Sequence, residues 1–434
     1  MKAIETFTLL HLFKLSLLKK YLYALNILTI VCGCNLPTSN KETANDSIKY
    51  IAPALAPVNK EELRHYKELL SSYFDSMLIS KSFNGGILVA KDGNIIYESY
   101  IGNIHLGKNE PITDSTSFQL ASTSKPFTAV AILRLVQENK LSLNDSLNKF
   151  FPTLSYKGIT VKMLLNHHSG LPNYIYFFPV SNWDQHQYVT NNDVLNFLDT
   201  TKLPPVFSPG TRFNYCNTNF VLLALIIEKI TGKTYPDYMK MKFFKPLQMD
   251  HTFVFTTGDS ARATPSYNYN STFWQNDFLE MTYGDKNIYS TPRDLLKWDQ
   301  ALYTDQILNK ELKDAAFAPS IFNPKDSLPA FHNYGLGFHL TITTTGKKVI
   351  FHFGRWHGFN AAFARLTDEK VTIIILGNKF TRRIYDAAYT AYNLFGNYFP
   401  KPETEEEEPG SEAELKKVSS KNLKPIKSYS KSGK

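Results

Sequence analysis

Cysteine is scarce in this chain of 434 residues: there are three, Cys32, Cys34 and Cys216. Two of them end an apolar stretch near the N-terminus, so the globular part holds a single thiol and no internal disulfide. CxxC and HExxH spacings are missing, which leaves no metal-ligand pattern; neither a metal nor another cofactor is expected. GxSxG is missing too, and with it the main mark of an α/β-hydrolase. Outside the C-terminal tail there is no block of five like charges. The net charge of +9 is spread thinly, and nucleic acid is not an expected partner. No internal repeat is visible. What remains is the composition of an ordinary globular protein, 43% hydrophobic and 20% charged, with 31 Phe and 25 Tyr to fill a sizeable core.

The two ends read differently from the middle. Residues 14–20 are basic, residues 21–33 are apolar, and Cys34 follows. That order describes a secretory signal. Val31-Cys32-Gly33-Cys34 resembles a bacterial lipobox, although position 32 is usually another small or apolar residue. The resemblance implies cleavage before Cys34, lipidation of Cys34 and attachment to the membrane of a bacterial envelope. An uncleaved anchor helix is the alternative, and the apolar run is short for a span of about 20 residues. Residues 35–59 are rich in Ser, Thr, Asn, Ala and Pro and read as a flexible tether. Residues 401–434 hold Glu405 to Glu408 and then Lys- and Ser-rich sequence, which predicts a disordered charged tail.

Between these ends, residues 60–400 predict one domain. Apolar spacing predicts a helix over 61–79. A hairpin is expected over 86–101, with its turn at Asp92-Gly93. Residues 118–120 read as extended and 122–137 as helical. The middle, 141–275, alternates helical segments with Pro/Gly loops, and 220–230 is its longest apolar helix, stopped by Gly232. Strands return at 337–343, 348–353, 361–366 and 371–376, followed by a helix over 386–395. The fold class expected is α/β (α+β): one antiparallel sheet built from both ends of the chain, flanked by helices, with a mostly helical lobe at about 119–284. A cleft between the two is where a ligand site is expected.

Ser-x-x-Lys occurs at Ser16, Ser122, Ser146 and Ser428. Only Ser122-Thr123-Ser124-Lys125 follows an extended stretch and opens a strong helix. Spacing of three puts both side chains on one helix face, and the free N–H groups of a helix start suit a developing oxyanion. A serine hydroxyl needs a neighbour to take its proton, and Lys125 does that only if burial or a nearby cation or phenol lowers its pKa. Ser122 as a plain N-cap with Lys125 on the surface is the other reading of the same four residues.

Residues 118–129 (FQLASTSKPFTA) resemble the active-site helix of the serine β-lactamase and penicillin-binding-protein superfamily. The resemblance is to the class C β-lactamase and D-Ala-D-Ala carboxypeptidase branch, which also holds esterases and D-aminopeptidases. Tyr-x-Asn occurs once, as Tyr215-Cys216-Asn217, within a family-like stretch over 207–235. His352-Phe353-Gly354 ends a predicted strand within HFGRWHGFNAAF. Residues 161–172, 284–302 and 334–338 are also similar to the family, so the resemblance spans about 60–398. It implies Ser122 as acylated nucleophile, Lys125 as its activator and Tyr215 as general base and acid. It implies Asn217 as a donor to the substrate carbonyl, and His352 and Gly354 as the strand side of the cleft. The N–H groups of Ser122 and Arg355 would form the oxyanion hole.

Two departures shape the expected substrate. Cys216 stands where Ser or Ala is usual. His352 stands where Lys-Thr-Gly members carry a fixed charge for a substrate carboxylate, and a neutral His supplies that less reliably. The Arg355 side chain is one candidate for the missing charge; a solvent-facing Arg is the other reading. The expected activity is therefore that of an envelope serine hydrolase acting on D-amino-acid peptides, esters or amides. Its partner would be a small-molecule or peptide substrate, including peptidoglycan-derived ones. A class C-like β-lactamase and a non-catalytic wall-binding scaffold are the alternatives. His167-His168 reads as structural, Gly232-Lys233-Thr234 as a helix-ending turn, and Trp356 and residues 174–178 as packing or groove lining.

Overall fold

The structure, a computed structural model, describes residues 49–322, 331–344 and 346–398. The signal segment with Cys34, most of the tether and the charged tail lie outside them. Among the described residues no helix is long and apolar enough to cross a membrane.

Seven strands form one antiparallel sheet. They are β1 (Gly85–Lys91), β2 (Asn94–Ile101), β3 (His332–Tyr334), β4 (His339–Ile342), β5 (Lys348–Trp356), β6 (Phe359–Leu366) and β7 (Val371–Gly377). Their order is β2-β1-β7-β6-β5-β4-β3, so the N-terminal hairpin pairs with the last strand, Gly85 opposite Gly377 and Lys91 opposite Val371. The sequence of β7, VTIIILG, is apolar without alternation because both faces of the sheet are covered. Ile373 and Ile375 face one core with Leu70 and Phe74 of helix α1 (Lys60–Met77). Ile374 and Leu376 face the other, with Phe127 and Leu133 of α2 (Lys125–Gln137) and Phe220 to Ile227 of α3 (Asn217–Thr231). Period-two alternation along the strand thus serves two separate cores.

The α+β expectation of a sheet from both chain ends is met, and Gly232 ends α3 in the left-handed conformation at φ 66°. Three details differ. β3 lies ahead of residue 337, where the sequence reading places the first returning strand. The 122–137 helix starts three residues late, because Ala121–Ser124 is a 3₁₀ turn. The tether is not free along its whole length. Ile51 exchanges two hydrogen bonds with the Gln306 amide, and Asn94 donates to the Ala56 carbonyl. Amide side chains satisfy the extended backbone there, which holds these residues on the domain.

Candidate active site

Ser122 lies in the 3₁₀ turn that precedes α2, so it is not the N-cap of that helix. The turn is tied down on both sides. Leu120 N–H donates to Ile288 O and Ile288 N–H donates to Ser124 Oγ, while Thr123 Oγ1 donates to the His352 carbonyl of β5. Ala121, next to Ser122, sits at φ +47°, a costly conformation for a residue with a Cβ. Such strain persists only where the surroundings over-determine it, as they do here.

Lys125 is fully buried. Its Nζ is 2.9 Å from Ser122 Oγ, 2.8 Å from Asn217 Oδ1 and 3.0 Å from the Asp285 carbonyl. It also lies 4.7 Å from the centre of the Tyr215 ring. The motifs separated in sequence therefore converge on one ammonium group. Asn217 opens α3 and is partly exposed; its N–H donates to Asn173 Oδ1. With its carbonyl oxygen turned to Lys125, its amide hydrogens are directed away from that ammonium group. Cys216 fits without disturbance: its N–H donates to His167 Nδ1, and burial pushes its thiol up to about 11.

Three imidazoles, the buried His167 and His352 and the partly buried His339, lie around the Tyr215 ring, with centroid separations of 4.3 Å for His167, 6.0 Å for His339 and 6.3 Å for His352. Burial, then the nearby Lys125 charge, drives His339 down to about 3. Burial acts first on His167 and His352 too, and both fall well below the ordinary histidine range. All three are neutral at neutral pH. His167 and His168 both meet the Phe213 ring edge-on, but only the first packs on Tyr215, while the second turns its Nδ1 to the Asn166 carbonyl.

The strand side changes two expectations. His352 is fully buried; its Nδ1 bonds the Phe353 carbonyl and its Nε2 accepts from Tyr334. It supports the Tyr215 pocket and presents no charge to the cleft. Arg355 lies on the opposite strand face from His352 and Gly354, exposed, with its guanidinium 5.8 Å from the Phe380 ring. Its side chain does not take the place of the missing lysine, because strand alternation turns it away from Ser122. Gly354 is placed as expected. A Cβ there would lie 2.1 Å from the Leu120 carbonyl and 3.0 Å from Ser122 N, so β5 and the Ser122 turn pack backbone to backbone. β4 covers β5 only from Lys348 to Phe351, which leaves the edge beside the turn without a neighbouring strand. Gly354→Ala is expected to cost about 1–3 kcal/mol of stability and to lower activity at least about 100-fold through displacement of Ser122. Thermal melting and steady-state kinetics check both.

Sequence reasoning missed Asn173, the Asp285 carbonyl, His339 and Tyr334. The 284–302 stretch was noticed as family-like, but nothing in it marks a main-chain oxygen as a lysine partner. Trp356 and Tyr174 turn out to be tied inward: Trp356 Nε1 donates to Glu280, and Tyr174 OH donates to Asp285 Oδ2.

The Beta-lactamase family model matches residues 70–395. Penicillin-binding protein 4* of Bacillus subtilis is 33% identical over 353 residues, 77% of each chain. The teichoic acid D-alanine hydrolase of Staphylococcus aureus is 28% identical over 306 residues, 68% of this chain and 71% of that one. The crystal structure of a penicillin-binding protein from Bacillus halodurans superposes with a TM-score of 0.66 at 23% identity, over 74% of this chain and 99% of that one. With the Ser122–Lys125–Tyr215 arrangement already on one side of a β-lactamase-like sheet, the chain belongs to the beta-lactamase family and is a serine hydrolase.

Proposed function

We propose that this protein hydrolyses D-amino-acid esters, amides or peptides of the cell envelope through an acyl-enzyme at Ser122. The contact that carries the reading is Lys125 Nζ, bonded at once to Ser122 Oγ and Asn217 Oδ1 while lying over Tyr215. Ser122 Oγ attacks the acyl carbon and gives up its proton to the Lys125–Tyr215 pair. That pair returns the proton to the departing alcohol or amine, and a water then releases the acyl group by the reverse sequence. The N–H groups of Ser122 and Arg355 hold the oxyanion, and the Asn217 amide orients the acyl chain.

The neutral, enclosed His352 supports acyl donors that need no fixed cation on the strand, and with them the reading as a peptidase or esterase over a β-lactamase. A relative named as a D-alanine hydrolase and another named as a penicillin-binding protein support the same substrate class. Lipidation at Cys34 rests on the lipobox-like sequence and is part of this proposal. The test compares a D-alanyl ester, a D-alanine amide and a penicillin as substrates for protein lacking residues 1–34. Release of D-alanine with a slowly cleared penicillin adduct is expected. Rapid penicillin turnover without D-alanine release would make it a β-lactamase, and inertness to all three would make it a scaffold.

A further inference from the structure

Glu280 is a buried carboxylate outside the catalytic residues, 2% exposed, in the loop that leads to Asp285. Its Oε1 accepts from Gln119 Nε2 at 2.8 Å, and Gln119 lies three residues before Ser122. Its Oε2 accepts from Trp356 Nε1 at 2.9 Å and from His357 Nε2 at 3.1 Å. Trp356 follows Arg355 and shares the strand face of Gly354. One carboxylate therefore joins the two backbone segments that meet where Gly354 abuts Ser122 N. We propose that Glu280 is a positioning residue that sets the gap between the Ser122 turn and strand β5, and hence the width of the oxyanion hole. The inference rests on the acyl-enzyme reading of Ser122.

The surroundings fit a clamp. Gln119 Nε2 also donates to Asn287 Oδ1 at 2.7 Å, and Asn287 Nδ2 donates to the Thr282 carbonyl, closing the loop on itself. The same loop brings the Asp285 carbonyl to Lys125. Burial raises the Glu280 carboxyl, but the His357 and Trp356 hydrogen bonds and the Lys286 charge outweigh it and hold the group below its ordinary range. Lys286 Nζ lies 4.6 Å over the Trp356 ring, which fixes that ring from its face while Glu280 fixes its edge. Asp277 comes within 4.0 Å of His357, so carboxylates and His357 together form a small charged cluster. Both oxygens of Glu280 already take N–H donors, which makes it a brace between segments and not an open ligand site.

An anion is needed because every partner is a donor. A glutamine offers one oxygen and one NH₂, so whichever way it turns, NH₂ faces either Gln119 Nε2 or the Trp356 and His357 N–H groups. Gln119 is able to reverse its own amide only by giving up Asn287. Either an arm of the clamp or its tie to Asn287 is lost, and the oxyanion donors loosen while the substrate-binding surface stays.

The test is the split between kcat and KM for a D-alanyl ester in the purified enzyme. Glu280→Gln is expected to lower kcat about 30- to 100-fold with KM within about twofold, since oxyanion geometry acts in the transition state. Trp356→Phe keeps the ring and removes one donor; a loss of about 3- to 10-fold with the same split is expected. If Glu280→Gln fails to fold, Trp356→Phe carries the decision alone. A kcat within twofold of wild type in a folded variant, or a rise in KM with kcat unchanged, overturns the clamp. Ser122→Ala run beside them separates the two ideas: residual activity there defeats the acyl-enzyme reading, whereas an inactive Ser122→Ala with normal Glu280→Gln defeats the clamp only.

Discussion

Ser122→Ala is expected to abolish the covalent adduct with a penicillin and to lower D-alanyl ester hydrolysis by at least about 10,000-fold. The alanine removes the Oγ proposed to attack and nothing else of consequence to the fold. Lys125 keeps its bonds to Asn217 and Asp285, and the turn keeps its ties to Ile288 and β5. The melting temperature should therefore stay within a few degrees, which separates lost chemistry from lost structure. Intact mass after incubation with the drug reads the adduct, and steady-state kinetics read turnover. An adduct that survives the substitution would mean that another residue is the nucleophile.

Lys125→Met is expected to cost both rate and stability. Methionine fills nearly the same volume and carries neither charge nor N–H, so the Lys125–Tyr215 pair proposed to take the Ser122 proton is broken; a loss of about 100- to 10,000-fold is expected, the range for disabled general acid–base catalysis. The acceptors left behind, the buried Asp285 carbonyl and the partly buried Asn217 Oδ1, each lose a charged donor. Leaving a buried acceptor unpaired costs about 1–3 kcal/mol, so Tm should fall clearly, unlike in Ser122→Ala. Residues acting as one unit are not additive. The Ser122→Ala/Lys125→Met double variant should thus be no slower than Ser122→Ala, though less stable. A double variant slower by the product of the two single losses would mean that Lys125 acts on something other than Ser122. Single-turnover rates with an activated ester, with thermal melts alongside, check both parts.

How much of this was legible in the sequence depended on whether the cause was local. β7 and α3 are apolar runs with punctuation, and their element types followed from that. Ser122, Lys125, Tyr215 and Asn217 stood out in the sequence because the acyl-enzyme chemistry proposed for them calls for particular residue types at fixed short spacings. Their convergence was not: Lys125 and Asn217 are far apart along the chain, and only the resemblance to a family brought them together. Ala121 in the left-handed region was invisible because alanine ordinarily avoids it; tertiary ties override the preference. The enclosure of His352 and the choice between the two readings of the Arg355 side chain were beyond the sequence for a related reason. A motif names a position on a strand but says nothing of which rings will pack around it or what lies on the other face. Glu280 went unnoticed altogether, since a lone acidic residue carries no sign of the three donors that meet it.

The pairing of β1 with β7 also governs the order in which a working molecule comes into being. Synthesis delivers the N-terminal hairpin first and its permanent neighbour last, so through most of chain emergence the β1 edge has no mate. Closure waits on a contact between residues near opposite ends of the domain, a slow kind of step. β5, which seats the Ser122 turn, is joined to that hairpin only through β6 and β7 in the sheet. A nascent chain that already carries the Ser122 turn therefore lacks the finished sheet that seats it until the final strand arrives.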